Sequence, residues 1–256
     1  MKGSVQELLD SLPEAVITHI QHLERMRQDF VANVSHELRT PLTVIHGYLD
    51  TLLDQDLAET KPWKKIFMQM HQQTLRMENL IEDLLLLSRL ESHEGESAIE
   101  SKIPVAKLLD TICHEARELS GDMKHQITLS ADPALHILGI EAELRSLFSN
   151  IIFNAVKYTP AQGTINIYWF EENHQGTFKV QDTGIGIAPE HIPRLTERFY
   201  RVDPARSRAS GGTGLGLAIA KHVLLRHDGK MEVSSELGTG STFICIFPRN
   251  RYVVSV

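Results

Sequence analysis

Two apolar stripes constrain this chain more than any other feature. In the first, Phe30, Val34, Leu38, Leu42, Ile45, Leu49 and Leu52 recur at steps of three and four. That is the period of one buried helical face. The segment "DQDLAETKP" breaks the pattern, with Thr60 as an N-cap and Pro62 in the first turn of the next helix. The second stripe follows with Ile66, Met70, Met77, Ile81, Leu84, Leu85 and Leu87. Residues 17–91 therefore read almost wholly as helix. Two long helices joined by a short loop form an antiparallel hairpin. A lone hairpin cannot bury both stripes, so pairing with a second copy into a four-helix bundle, a homodimer, is expected.

The texture changes after "ESHEGESAIES", a polar stretch without period that reads as a linker. "VAKLLDTICHEARELS" and "EAELRSLFSNIIFNAVKYT" read as helices, as does "GLGLAIAKHVLLRH". "HQITLSA", "LHILGI", "GTINIYWFE" and "GTFKVQD" read as strands, and "KMEVSSELGTGSTFICIFP" as a strand pair with a glycine turn. This order predicts an α/β sandwich, with helices on one face of a largely antiparallel sheet.

Bulk properties remove several function classes. Net charge is −7 and aromatic residues are 6% of the chain. Without a basic footprint or interleaved aromatics, a nucleic-acid partner is not expected. The two cysteines, Cys113 and Cys245, form no disulfide framework and read as buried, inert thiols in a reducing cytoplasm. No run approaches the length of a membrane span, since Glu82, Asp83 and Arg89 interrupt "LIEDLLLLSRL". No signal peptide is visible, and the chain is expected to make no membrane contact of its own.

Three motifs carry chemistry. In "SNIIFNAVKYTP", Asn150 and Asn154 lie one turn apart with Lys157 on the same side, opposite Leu147, Ile151 and Val156. An amide oxygen is a hard ligand able to complete an octahedral Mg²⁺ beside phosphates and water; a solvated helix face is the alternative. In "QDTGIGIAP", Asp182 ends a strand and Gly184 and Gly186 allow a tight backbone approach. A carboxylate there can accept an exocyclic amine of adenine, although many turns share D-x-G-x-G. In "ASGGTGLGLAIAKH", Gly211, Gly212, Gly214 and Gly216 precede a helix N-terminus, where free N–H groups favour phosphate. A Rossmann turn is a poor fit without a βαβ unit, and a Walker A loop fails without G-K-[ST]. Between the glycine motifs, "PRLTERFYRVDPARSRASGG" reads as a nucleotide lid or an ordinary surface loop.

Taken in order, the amide helix, D-x-G-x-G, a lid with an aromatic pair and G-x-G-L-G-L-x-I resemble the nucleotide-binding domain of two-component sensor histidine kinases. Phe30 to Thr43, with "SHELRTPLT", resembles the phosphoacceptor box of that family. "HIPRLTERFYRVDPARSR" and "NVSHELRTPLTVIHGYL" are most similar to its phosphate-regulon branch. The resemblance implies a helical hairpin dimerising into a four-helix bundle, followed by an α/β sandwich nucleotide-binding domain of the histidine-kinase/Hsp90 type. It also implies the cofactors ATP and Mg²⁺ and a response-regulator partner with a receiver aspartate. Position by position, the resemblance implies the following roles: His36 takes the γ-phosphoryl group. Asn154 coordinates Mg²⁺ with Asn150 beside it. Lys157 meets phosphate, and Tyr158 packs near the nucleoside. Asp182 recognises adenine, with Gly184 and Gly186 shaping its pocket. Phe199 belongs to the lid, and Gly212, Gly214 and Gly216 to the phosphate turn.

His36 follows Val34 by about 200° of helix rotation, so it is expected to leave the buried stripe and face solvent. A neutral imidazole is nucleophilic at one nitrogen when the proton on the other is accepted, and Glu37 is the candidate acceptor. Thr40 lies one turn on, and the family resemblance implies that its hydroxyl positions water for dephosphorylating the regulator. Pro41 removes a backbone N–H beside the acceptor and is read as a built-in bend or as a tolerated kink. The thirteen histidines suggest no metal constellation, His19 and His22 included. The opening "ELLDSLPEAVI" and "THIQHLERMR" resemble the entry and exit of a PAS-type sensory domain, joined directly as an internal deletion would leave them; a short helix with Pro13 near its start is the alternative. The expected division is a sensory remnant over 1–19, the phosphoacceptor hairpin over 20–92, a linker over 93–101 and the ATP-binding domain over 102–256. An ATP-driven clamp and a non-catalytic ATP-binding scaffold are the rival readings.

Overall fold

The computed structural model describes residues 35, 38–39, 42–52, 63–91, 101–202 and 213–254. His36, Glu37, Thr40, Pro41, the 1–19 segment, the hairpin loop and Gly212 lie outside them. The chain divides into two compact units, Met1–Glu94 and Gly95–Val256.

In the first unit, residues 42–52 form helix α1 and Lys64–Glu91 form helix α2. The turn before α2 is closed by Ile66 and Phe67 amides donating to the Trp63 carbonyl. Leu42 packs with Ile81 and Leu85 in one buried cluster, so the two helices do pair as a hairpin. The predicted stripes are only half used, however. Ser35, Leu42 and Leu49 are buried on the first helical run, whereas Leu38 and Ile45 are exposed. On α2, Thr74, Ile81, Leu85 and Leu87 are buried, while Ile66, Met70 and Met77 are exposed. One hairpin contact line is too narrow to cover a stripe more than 100° wide, and its flanks stay open.

The second unit is an α/β sandwich. A five-stranded sheet runs in the order β2 (Gln126–Ala131), β4 (Thr164–Glu172), β5 (Gln175–Asp182), β7 (Gly240–Phe247), β6 (Lys230–Glu236). All neighbours are antiparallel except β2 and β4, which pair in parallel, so the sheet is mixed. A second sheet was not expected: β3 (Leu135–Gly139) pairs antiparallel with β1 (Ser101–Ile103) and β8 (Tyr252–Val254). Short edge strands carry too little alternation to announce their partners.

Period-two alternation sets the sheet's inner face. Ile165, Ile167, Trp169, Phe178, Val180, Phe243, Cys245 and Phe247 are all buried on it. Across the strands, Ile167 stands opposite Val180 and Val180 opposite Phe243. Helix α4 (Glu141–Tyr158) lies on this face between α3 (Val105–Ser120) and α5 (Gly216–Arg226). Its Phe148 ring meets Phe178 of β5 at 4.6 Å between centroids. On α3, Val105, Leu108, Leu109, Ile112, Cys113 and Ala116 follow the three-and-four period and are buried. The Trp169 indole N–H donates to the Leu135 carbonyl at 2.9 Å, tying the large sheet to the small one.

Both thiols are free and fully buried. Desolvation pushes the Cys113 thiol up to about 11 and raises Cys245 further, so neither forms thiolate readily.

Candidate functional site

A cavity of about 270 Å³ opens in the second unit, beside α4, the end of β5 and the start of α5. Of the residues singled out from sequence, Asn150, Asn154, Lys157, Tyr158, Asp182, Gly186, Gly214 and Gly216 line it. Gly184 does not line it but supports Asp182. Phe199 is exposed, and its neighbour Tyr200 lines the cavity instead.

Asp182 sits at the last inward position of β5, between Ile165 and Ser241 on the flanking strands. It is 8% exposed. The Gly184 and Ser241 amides both donate to Oδ1, at 2.7 and 3.3 Å. Among the described residues no donor reaches Oδ2, which leaves one oxygen for a ligand. Desolvation raises this carboxyl above its usual range, and the two amides partly oppose that rise.

The loop after Asp182 is pinned at several points. The Thr183 amide donates to the Thr164 carbonyl, Ile185 to Tyr158, and Gly238 to Ile185. The Ile187 amide donates to Ser235 Oγ at 2.8 Å. Gly186 has φ +69°, and a Cβ there would overlap the Glu236 carbonyl. Only glycine satisfies both conditions.

On α4, steps of three and four put Asn150, Asn154 and Lys157 on the cavity side, while Leu147, Ile151 and Val156 are buried. Asn150 Nδ2 donates to the Ser146 carbonyl one turn back, at 2.9 Å. A Cβ on Gly216 would overlap the Asn150 amide oxygen, so glycine lets α5 begin against α4. The Lys157 ammonium lies 5.2 Å from the Tyr158 ring centroid.

The intervening segment brings Tyr200, of the lid's aromatic pair, to the cavity and adds Leu195 and Arg201, which sequence reasoning missed. Tyr200 is held by His191, whose Nδ1 is 2.7 Å from the phenol oxygen, and by Arg194, whose guanidinium lies 4.2 Å over the ring. The Phe199 amide donates to the Gly214 carbonyl at 2.9 Å, joining the two sides of the segment. Arg201 lines the cavity, and its Nη2 is buried without a hydrogen-bond partner among the described residues. A buried, unpaired guanidinium nitrogen is costly unless an anion meets it. Ile185, Ile187, Leu195 and Phe243 give the cavity apolar walls. The alternation of "GIGI" and of β7 was the available signal for three of these four.

The arrangement fits a ligand with a flat apolar part, an amine and an anionic tail. Apolar walls suit a base, Asp182 Oδ2 suits its amine, and Lys157 and Arg201 suit phosphate. Asn150 and Asn154 offer hard oxygens of the kind Mg²⁺ takes. Among the described residues no helix is long and apolar enough to cross a membrane.

Both units of the chain resemble known proteins. Residues 26–93 match the His Kinase A (phospho-acceptor) domain family, and residues 139–251 match the Histidine kinase-, DNA gyrase B-, and HSP90-like ATPase family. The chain is 54% identical over 233 residues to the phosphate regulon sensor protein PhoR of Pseudomonas aeruginosa, covering 90% of this chain and 52% of that protein. It is 40% identical over 240 residues to PhoR of Haemophilus influenzae, covering 93% and 55%. The chain thus spans about half the length of these curated relatives. Among solved structures, full-length ShkA in complex with AMPPNP aligns with a TM-score of 0.73 at 26% identity, covering 89% of this chain and 46% of that one. The Acinetobacter baumannii histidine kinase AdeS shares the fold, with a TM-score of 0.61 at 21% identity over 84% of this chain and 98% of that one. With a phospho-acceptor helical region followed by this ATPase-type sandwich, the chain belongs to the sensor histidine kinases.

Proposed function

We propose that the chain is the catalytic portion of a phosphate-regulon type sensor kinase, an ATP:protein-histidine phosphotransferase acting on its own His36. The observation that carries this reading is one cavity holding a buried carboxylate and a buried guanidinium that, among the described residues, each leave one polar atom without a partner. That pairing suits adenine at one end and phosphate at the other. The relatives' identity and the structure of ShkA with AMPPNP support ATP as the ligand.

In this reading Asp182 accepts the adenine amine, Gly184 and Gly186 shape its pocket, and Tyr158 packs near the nucleoside. Lys157 and Arg201 meet phosphate oxygens, with Gly212, Gly214 and Gly216 forming the phosphate turn. Phe199 and Tyr200 belong to a lid over the ligand. Asn154, with Asn150 beside it, supplies amide oxygen to Mg²⁺, which neutralises phosphate charge when bound. The lone pair of one His36 nitrogen attacks the γ-phosphorus in line, an N–P bond forms, and the P–O bond to ADP breaks. Glu37 accepts the proton from the other ring nitrogen. Positioning and electrostatics supply most of the rate.

The division into a hairpin over 20–92, a linker over 93–101 and an ATP-binding domain over 102–256 belongs to this reading, with 1–19 as the end of a sensory segment. The exposed Leu38, Ile45, Ile66, Met70 and Met77 support a homodimer through the hairpin. The downstream partner is a response regulator of the phosphate-regulon type, which takes the phosphoryl group on an aspartate. Thr40 positions water for the reverse duty, dephosphorylating that regulator. The longer protein is anchored in the bacterial inner membrane with this part in the cytoplasm.

Transfer tests the reading. Chain pre-labelled from γ-labelled ATP and freed of nucleotide is mixed with a phosphate-regulon receiver domain. Label moving to the receiver, and failing to reach a receiver whose acceptor aspartate is replaced by asparagine, is expected. Label that stays on the chain, or no label in the first place, contradicts it. A Thr40→Ala chain that keeps full phosphatase activity would remove the role given to Thr40.

A further inference from the structure

We propose that the helical hairpin carries a divalent transition-metal site, built from His46 and Asp50 of α1 and His71 of α2, with Glu78 orienting His46. The site is separate from the nucleotide cavity, whose lining comes entirely from the second unit.

The stripes by which the two helices meet are interrupted by a polar layer. On α1, Leu42, His46 and Asp50 follow at four-residue steps, and on α2, His71, Thr74, Glu78, Ile81 and Leu85 share one face. Below the layer, Leu42, Ile81 and Leu85 close the apolar cluster. Within the layer, His46 Nε2 and His71 Nε2 are 3.0 Å apart. Asp50 Oδ1 is 3.0 Å from His71 Nε2, and Asp50 Oδ2 is 3.5 Å from His46 Nε2. One Nε2 from each histidine and the Asp50 carboxylate therefore converge from two helices.

Their spacing decides the chemistry. A tetrahedral ion with ligands at about 2.0–2.1 Å has ligand–ligand edges of about 3.3 Å. The two Nε2 atoms at 3.0 Å, with one Asp50 oxygen 3.0 Å from His71 and the other 3.5 Å from His46, lie close to that edge, and one ligand atom from each residue falls within 4.8 Å of the others. Two imidazoles and a carboxylate with a fourth, open position are a donor set of the Zn²⁺ type, which other first-row divalent ions of similar softness also accept. Glu78 supplies a second, independent sign. Its Oε2 is 3.3 Å from His46 Nδ1, on the far side of the ring from the cluster. A proton held between Nδ1 and that carboxylate leaves Nε2 with its lone pair, facing the other two donors. Without an ion, a single proton between the two Nε2 atoms and Asp50 satisfies the same contacts. The sequence hid the site because its ligands lie on two helices, and no single-helix spacing announces it.

Metal-free chain is titrated with Co²⁺ as a spectroscopic stand-in, then with Zn²⁺. The proposal expects one Co²⁺ per chain, with the intense visible bands of tetrahedral cobalt, bleached by Zn²⁺. Zn²⁺ should also raise the unfolding temperature of the chain. His46→Ala and His71→Ala should each abolish the bands while keeping the helical circular dichroism. Glu78→Gln should keep the tetrahedral bands but weaken binding about 10–100-fold, as expected for an outer partner of a ligating histidine. A His19→Ala/His22→Ala chain should bind as the parent does. Wild-type chain that gives no tetrahedral cobalt spectrum overturns the proposal and leaves the proton-sharing network. Equal binding by the parent and a His46→Ala/His71→Ala chain overturns it too, because the ion then sits elsewhere.

Discussion

Asp182 is where stability and binding pull apart. Its carboxylate is buried, desolvated and held by two amides through one oxygen. Because the folded group holds its proton more tightly than the unfolded one, its contribution to stability is greatest in acid. That contribution is lost as pH rises through the unfolded and then the raised folded value. Asp182→Asn keeps an oxygen for both amides and removes the charge. Unfolding measured across pH should show the mutant losing less stability than the parent as pH rises above the ordinary aspartate value of 3.8. Nucleotide affinity should fall about 10–100-fold, the cost of losing a hydrogen bond to a charged group. Arg201→Ala separates the two ends of the cavity: calorimetry should find ATP weakened and adenosine unchanged, whereas Asp182→Asn weakens both. Glycines at the site divide in the same way. Gly186→Ala meets the Glu236 backbone and should destabilise the fold by about 1–3 kcal/mol. Gly216→Ala meets the Asn150 side chain first rather than backbone, so it should disturb Mg²⁺-dependent ATP binding with little change in unfolding. The buried thiols should resist a thiol reagent until the chain is denatured, when both react.

At the scale of elements, the hairpin makes the sharpest prediction. Leu85→Ala opens a hole in the Leu42, Ile81 and Leu85 cluster and should destabilise the helical unit by about 2–5 kcal/mol in thermal unfolding. Ile45→Glu with Met77→Glu touches only exposed apolar positions. Sedimentation should find that chain monomeric, with the second unit still folded; a dimer that persists would place the interface elsewhere. Strong periodicity was legible where an element buries one full face. Helix α4, the β6–β7 pair and the strand ending on Asp182 could all be read from sequence. Pairing was not, because the parallel contact of β2 with β4 and the separate β1–β3–β8 sheet rest on tertiary packing rather than on local pattern. In the site, Asp182 and the amide helix announced themselves by residue type. Arg201 and Phe243 did not, since only the fold brings a guanidinium and a strand residue to one cavity wall. The His46, Asp50 and His71 cluster was hidden for the same reason.

For the whole molecule, the account joins a phospho-acceptor hairpin to a nucleotide-binding sandwich. Each unit has its own core, so residues 95–256 alone should bind ATP as the full chain does while carrying no stable label. The central claim is that phosphate leaves ATP for His36. The direct measurement incubates the full chain with Mg²⁺ and γ-labelled ATP beside His36→Ala, and follows the label in acid and in base. The account predicts label that is lost in acid, survives base and is absent from His36→Ala, which still binds nucleotide. Label on the mutant, acid-stable label, or nucleotide binding without any label on the parent chain would contradict it.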